Sequence, residues 1–455
     1  MLRPTCPPQF RRPLLKRSAV WILAATTGNF AAAAAAQTLD EALALAYSTN
    51  PQINAERAQL DAVKEGIAQA RAGGLPQITA SAGYEKVDSD QSVNSELFSA
   101  GAGERSFKLN TATADVRGEQ QIFAGLRNVN AIRQARARAK AGGAQLFLVE
   151  QDILVQAATA YFGVVRDMIV FKATENNVEV LLKQNEETAI RFEIGEVTKT
   201  DVAQSEARLA QARARMTDAQ AELAVSRATF EQIIGQMPGT LEEAPALPEA
   251  PATLDDAKTI ARELSPVILQ AQMSEQASRR GVAIAKGAFS PTVSLTAGYR
   301  YAEEPSSFIA KDEQFSYGVR MTAPLFLGGL NLSRVREANA VNTADRRRID
   351  AAEREVDSRV TAGWQRLAAA RANIMSSQTQ VRASALALSG VRREEETGLR
   401  STLDVLDAEQ EYLDAQVALA NAEHDTRAAT FRLLAAIGIL TPDSLGSQPS
   451  DQQTD

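Results

Sequence analysis

The sequence repeats itself, and any fold must satisfy both copies. Shifted by 215 positions, residues 39–84 land without a gap on 254–299 with 14 identities in 46 positions, among them Pro51/Pro266, Pro76/Pro291 and Gly83-Tyr84/Gly298-Tyr299. Farther along, the offset becomes 203: Ile122-Phe123 falls on Leu325-Phe326, Tyr161 on Trp364, Gly195 on Gly398, and Asp201-Val202 on Asp404-Val405. A repeat of about 200 residues is too long for a solenoid unit. We therefore read a duplicated domain, 37–236 and 254–440, joined by a linker at 237–253 that carries Pro238, Pro245, Pro248 and Pro251.

Only 5% of the 455 residues are aromatic, and long Ala, Gln, Glu and Arg stretches suit extended helices better than a round enzyme core. The net charge of −7 gives a nucleic-acid groove no electrostatic support. Residues 1–36 place Arg3, Arg11, Arg12, Lys16 and Arg17 before an uncharged run that ends in Ala34-Ala35-Ala36, the pattern of a signal peptide cut after Ala36. That run of 19 residues could also span a bilayer as a retained anchor, but its Ala-rich, weakly apolar character favours cleavage. Arg11-Arg12-Pro13-Leu14-Leu15-Lys16 also looks like a twin-arginine export signal, although an ordinary basic start suffices. The only cysteine, Cys6, lies ahead of the apolar run, so the processed chain would have no disulfide, thiolate metal site or cysteine nucleophile. No later segment has 18 consecutive apolar residues, so any membrane crossing must be made by strands.

Each half alternates helix and strand patterns. Residues 39–72 and 254–287 read as helical up to Pro76 and Pro291. Strand alternation follows. Val293, Leu295, Ala297, Tyr299 and Tyr301 alternate with polar residues over 292–301, and Phe315, Tyr317, Val319, Met321 and Ala323 do so over 315–326. The first half carries a weaker version in Ile78, Ala80, Ala82, Tyr84 and then Ala112, Ala114, Val116, with Lys86 and Asp115 marking faces that must meet water. Soluble sandwiches alternate too, but strands of about 10 residues with terminal tyrosines suit a lipid-facing barrel wall. Four strands cannot close such a barrel, which needs at least eight, and open edges are not tolerated in lipid. Oligomerisation follows, and three copies supply twelve strands.

Residues 128–194 and 331–397 run for 67 positions without proline, about 100 Å if helical. After each comes a glycine and a heptad: Val202, Leu209, Met216, Leu223, Phe230, matched by Val405, Tyr412, Leu419, Thr426, Leu433. Three residues on sit Ser205, Ala212, Ala219, Ser226, Ile233 and Ala408, Ala415, Ala422, Ala429, Ala436. Small residues along one seam permit close helix approach, and a seven-residue period imposes left-handed supercoiling.

This arrangement resembles the TolC family of outer-membrane channel proteins, most clearly at the two helix-turn-helix tips, Ile194-Gly195-Glu196-Val197-Thr198-Lys199-Thr200-Asp201-Val202 and Thr397-Gly398-Leu399-Arg400-Ser401-Thr402-Leu403-Asp404-Val405-Leu406-Asp407. The resemblance covers essentially 39–440. It implies a mainly α protein with membrane β: a homotrimer whose twelve-stranded barrel in the outer membrane continues into a twelve-helix coiled-coil periplasmic tunnel. By position it implies that Arg400 links to Thr200 and Asp201 of a neighbouring helix pair, and that Asp404 and Asp407 form acidic rings in the constriction. Six carboxylates around a narrow bore would raise some pKa values, select cations and bind multivalent cations. A tyrosine that helps closure in the family falls here on Glu395. The tips around Ile194, Gly195, Gly398 and Leu399 would contact a periplasmic adaptor that joins the channel to an inner-membrane pump of ABC or RND type; Glu196 departs from the family's apolar residue there.

Without the tip motif, Asp404 and Asp407 would read as solvated helix carboxylates. Glu242-Glu243 sit in the linker, outside any acid-base arrangement. His424, the only histidine, lies outside metal-ligand spacing, and Asp345-Arg346-Arg347-Arg348 reads as a solvated helix face. We see no phosphate loop, nucleophile elbow, cofactor motif or metal cluster, and expect no enzyme. Two classes fit: an export duct for small-molecule efflux or type I protein secretion, and a periplasmic coiled-coil scaffold or adaptor with a soluble β domain. Residues 441–455 read as a polar, disordered tail.

Overall fold

The computed structural model describes residues 37–92, 104–242, 247–306 and 308–441. The expected signal peptide at 1–36 and all but the first residue of the expected tail lie outside them. The two halves have helices of equal length. Helices α1 (Leu39–Thr49), α2 (Pro51–Ala72), α3 (Arg127–Glu193) and α4 (Lys199–Ile234) have 11, 22, 67 and 36 residues. Helices α5 (Leu254–Leu264), α6 (Pro266–Gly287), α7 (Leu330–Glu396) and α8 (Thr402–Ile437) repeat those lengths. Pro51 and Pro266 each occupy a first helical position, where the missing N–H costs nothing, so 39–72 and 254–287 each break into two helices. Asn50 fixes the first break: its side chain accepts from Gln52 N at 2.9 Å and donates to Ile233 O at 3.0 Å.

Between the helices lie β1 (Gln77–Ser92) and β2 (Glu104–Phe123) in the first half, and β3 (Thr292–Ser306) and β4 (Ile309–Thr322) in the second. They form one antiparallel sheet in the order β1-β2-β3-β4, which leaves β1 and β4 as edges. The strands exceed the expected 10 residues because backbone pairing continues past the apolar stretch into Lys86, Glu303 and Glu313. At its other end β4 stops at Thr322, short of the expected 326, because Pro324 has no N–H to continue the ladder.

Register places Ala80, Val116, Tyr299 and Phe315 in one row, and Ile78, Gly118, Ala297 and Tyr317 in the next. Side chains alternate faces along a strand, so Tyr84, Val116, Tyr299, Phe315, Tyr317, Val319 and Met321 share one face, and all are exposed. Asp115, Arg117, Arg300 and Arg320 share the other. Lys86 does not mark that polar face; it follows Tyr84 on the apolar side and marks where the apolar band ends.

The main core joins the halves beside the linker. Tyr161, Phe162, Phe230 and Phe431 are fully buried and in mutual ring contact, with Leu43, Leu154 and Ile234 around them. The Tyr161 hydroxyl lies 2.9 Å from Gln37 O and 3.0 Å from Glu242 O, and it accepts from Glu242 N at 2.9 Å. Burial pushes this phenol up to about 12, so it stays a neutral donor that ties the linker to α3. A second core packs α5, α6, α7 and α8 around Val356, Val360, Leu433 and Ile437. The face at 345–348 is solvated at its arginines, with Arg346, Arg347 and Arg348 all exposed; only Asp345 is buried, paired with Arg348, while Arg346 lies 3.5 Å from Glu275 of α6.

Candidate functional site: the helix-hairpin tips

Each tip is built by the same two local devices, 203 residues apart. At the end of α3, Gly195 adopts φ +82, donates to Phe192 O at 3.0 Å, and Glu196 N donates to Arg191 O at 2.9 Å. At the end of α7, Gly398 adopts φ +79 and donates to Glu395 O at 2.9 Å, while Leu399 N donates to Glu394 O at 2.8 Å. These paired bonds satisfy the last helical carbonyls and require a left-handed residue, which glycine supplies.

Each following helix begins with a capping box. Thr198 Oγ1 accepts from Asp201 N at 3.3 Å while Thr198 N donates to Asp201 Oδ2 at 2.8 Å. Ser401 and Asp404 repeat this at 3.3 and 2.9 Å. The backbone N–H bond holds both carboxyls below the usual Asp range. Within one chain, then, Asp404 acts as part of a helix cap. The pattern Thr/Ser-x-x-Asp before an apolar run was the available sequence signal for this role.

Arg400 turns to its own tip, 3.0 Å from Glu394 and 3.8 Å from Asp404. Both partners raise its already high pKa, Glu394 first. Thr200 is exposed in the first turn of α4, and Asp201 is engaged with Thr198, so the expected link from Arg400 to these residues is not made inside the chain. Glu395 is bonded to Arg191, which also lies 3.2 Å from Glu196. Asp407 is held 2.6 Å from Arg208. Arg191 and Arg208 were missed by sequence reading; Arg208/Arg215 and Asp407/Asp414, each seven apart, were the signal that could have found the second pair. Ile194 and Leu399 are exposed at 67% and 77%, and with Ile190 and Phe192 they form an apolar rim around the two glycines. His424 sits among α3, α4 and α8, with Nδ1 3.1 Å from Asp425, and no three metal-ligating side chains converge among the described residues.

Two long helix hairpins with matched tips, carried on a four-stranded sheet with open edges and one bare apolar face, are the single-chain fold of the channel-tunnel class. The chain belongs to the outer membrane efflux protein family, which it matches over 42–236 and 259–439. It is 31% identical over 417 residues to the outer membrane efflux protein BepC of Brucella suis, covering 91% of this chain and 88% of that protein. It is 26% identical to the outer membrane protein TolC of Vibrio cholerae, over 94% of this chain and 96% of that one. Its fold matches the crystal structure of a membrane protein from Pseudomonas aeruginosa with a TM-score of 0.76 at 19% identity, covering 88% of this chain and 93% of that one. The protein is an outer-membrane channel component for efflux or type I secretion, and its family consists of channels rather than enzymes.

Proposed function

We propose that three copies close into a ring, with twelve strands forming a barrel through the outer membrane and twelve helix segments forming a periplasmic tunnel gated at the tips. The observation that carries this reading is an interface present once inside the chain and vacant at the equivalent place. The halves join through β2 against β3 and α3 against α6. At that junction Gly125, with φ +61, packs so closely on Gly287 that an added Cβ would lie 2.5 Å from its carbonyl oxygen. Gly328, 203 residues on and also left-handed at φ +58, has nothing within 4 Å. Ala124 is 5% exposed at the junction, and its counterpart Leu327 is 50% exposed. Applying the same head-to-tail contact again covers β4 and α7 with the β1 and α2 of a next copy. Such a contact propagates until it closes, and twelve strands remove every edge.

The apolar face supports the membrane assignment. From Val293 to Tyr301 there are eight steps of about 3.4 Å, roughly 27 Å along the strand, or about 21 Å of height at a tilt near 40°. A periplasmic scaffold or adaptor would leave this face wet. In the closed ring, Arg400 reaches Thr200 and Asp201 of the next copy, and the Glu395–Arg191 pair takes the place of the tyrosine link. Asp404 and Asp407 line the mouth, Asp407 with its charge offset by Arg208. Ile194, Gly195, Gly398 and Leu399 meet a periplasmic adaptor, and an inner-membrane ABC or RND pump supplies the energy.

The test is planar-bilayer conductance of the detergent-stable trimer extracted from outer membranes. Small cation-selective openings that enlarge in Arg400→Ser support the gate. Openings unchanged by that substitution sink the latch, and a well-folded protein that washes off membranes as a non-conducting species sinks the channel ring.

A further inference from the structure

Resting on the barrel reading above for where the bilayer lies, we propose that the sheet-side ends of the helices hold anionic phospholipid headgroups. There are two sites per chain, one built from Arg71 with Arg133 and one from Lys286 with Arg336. The chain is acidic overall at −7, yet its charge is unevenly spread. Where helix meets strand, segments 66–76, 120–149, 276–291 and 321–336 carry one, five, three and two Lys or Arg residues and no Asp or Glu. At 1.5 Å per helical residue, all of these cations lie within about 20 Å of the helix ends that adjoin the sheet.

The repeat keeps both pairs. Arg71 falls on Lys286 at the offset of 215, and Arg133 falls on Arg336 at 203. In each half an asparagine draws the two helix ends together: Asn128 Nδ2 donates to Gly73 O at 3.0 Å, and Asn331 Nδ2 donates to Ala288 O at 3.2 Å. Counted away from that link, Arg71 is two residues down α2 and Arg133 five residues down α3, a difference in height of about 5 Å, under one helical turn. Lys286 and Arg336 repeat the same steps on α6 and α7. All four side chains are exposed, and among the described residues none has an ion-pair partner.

The surroundings favour a lipid over a solute in the cavity shared by α2, α3, α6 and α7. That cavity is lined by Glu56 and Glu337 as well as Arg138 and Arg334, so an anion gains little there. Arg336 stands two residues from both Arg334 and Ala338, about 200° around the helix and so on the opposite face. Between the pairs and the strands, Leu75, Leu126, Phe289, Leu325 and Phe326 are exposed by 48% to 95%. Apolar side chains followed by unpaired cations match the order met on leaving a bilayer, acyl chain and then phosphate. Arginine takes phosphate oxygens bidentately, and each cation beside an anionic surface strengthens binding about fivefold. A headgroup that carries its own ammonium gains less, because its phosphate charge is already offset.

The experiment titrates the purified protein in detergent with phosphatidylglycerol or with phosphatidylcholine of the same acyl chains and counts bound lipids by native mass spectrometry. Phosphatidylglycerol should fill two sites per chain at concentrations at least tenfold lower than phosphatidylcholine. Arg71→Gln, Arg133→Gln, Lys286→Gln and Arg336→Gln together should abolish that difference, and Arg71→Lys, Arg133→Lys and Arg336→Lys together should keep most of it. Four exposed arginines far from the sheet provide the control: Arg213→Gln, Arg354→Gln, Arg366→Gln and Arg371→Gln should leave it unchanged. If the fourfold variant does not fold, Arg71→Gln with Arg133→Gln should lose one of the two sites per chain. Equal affinity for the two lipids overturns the inference, as does an equal loss in the control. Displacement of bound phosphatidylglycerol by the same concentration of inorganic phosphate assigns the pairs to free anions and overturns it too. The sites lie within one chain, so a monomer that still binds two phosphatidylglycerol molecules removes the ring and supports the sites. Failure to insert into vesicles of either lipid removes the barrel reading and the inference with it.

Discussion

Replacing Leu406 by alanine tests whether the tip is held by its small apolar cluster rather than by the long helices alone. Leu406, Leu181, Leu209 and Ala212 are between 2% and 6% exposed, and the substitution removes three carbons from this packed group. At about 0.8 kcal/mol per buried carbon the transfer loss is about 2.4 kcal/mol. The cavity contribution is small because a four-residue cluster near a hairpin end can relax, so the cost sits at the low end of the 2–5 kcal/mol range for such changes. A long multi-helix assembly does not melt as one unit, so a single melting temperature is the wrong readout. Native-state hydrogen exchange reads local opening directly. A cost near 2.4 kcal/mol corresponds to roughly 50-fold faster exchange of amides in 203–212 and 403–410. Amides around Phe230, in the separate aromatic core, should not change. Acceleration that extends uniformly through α4 to Phe230, or none at the tip, would refute the claim that this cluster is an independent anchor.

Gly398→Val should destabilise its hairpin end by about 1–2 kcal/mol through the left-handed backbone alone, because the space beside it is open; Gly398→Asn should recover most of the loss. Exchange at 394–399 measures both. Ser401→Ala should cost about 1 kcal/mol by removing the cap on Asp404 N, and Ser401→Thr should restore it, read from exchange in the first turn of α8. Asp201 and Asp404 have depressed folded pKa values. Their capping contribution is therefore full above the unfolded value, about 3.9, and is lost as pH falls through the lower folded values. Carboxyl carbon NMR shifts of the two groups should titrate below that of an unstructured Asp; a titration midpoint above it would contradict the caps.

Much of the fold was legible because duplication and proline placement leave little freedom. The 67-residue stretches without proline became α3 and α7 to within one residue. The heptad named on α4 matches its buried Leu209, Leu223 and Phe230. On α8 it was incomplete: Leu406, Leu413 and Phe431 are buried off the stripe because α8 packs on α3 and α4 as well as α7. One periodic stripe describes one partner, and the second partner is not encoded in that period. The glycine tips were legible as well, since only glycine enters the left-handed end of a helix cheaply.

The partners of the tip charges were not. Sequence placed Arg400, Glu395, Asp404 and Asp407 at the tips, yet their contacts depend on which hairpin lies alongside. Glu395 faces Arg191 across 204 positions of chain and Asp407 faces Arg208 across 199, separations at which linear spacing says nothing about direction. By itself the sequence determined the repeat, the helix lengths, the strand faces and the turn chemistry, because these follow from local dihedral preference and apolar period. Tertiary structure decided which carboxylate each arginine meets, because long charged side chains choose among several reachable partners only after the helices are packed.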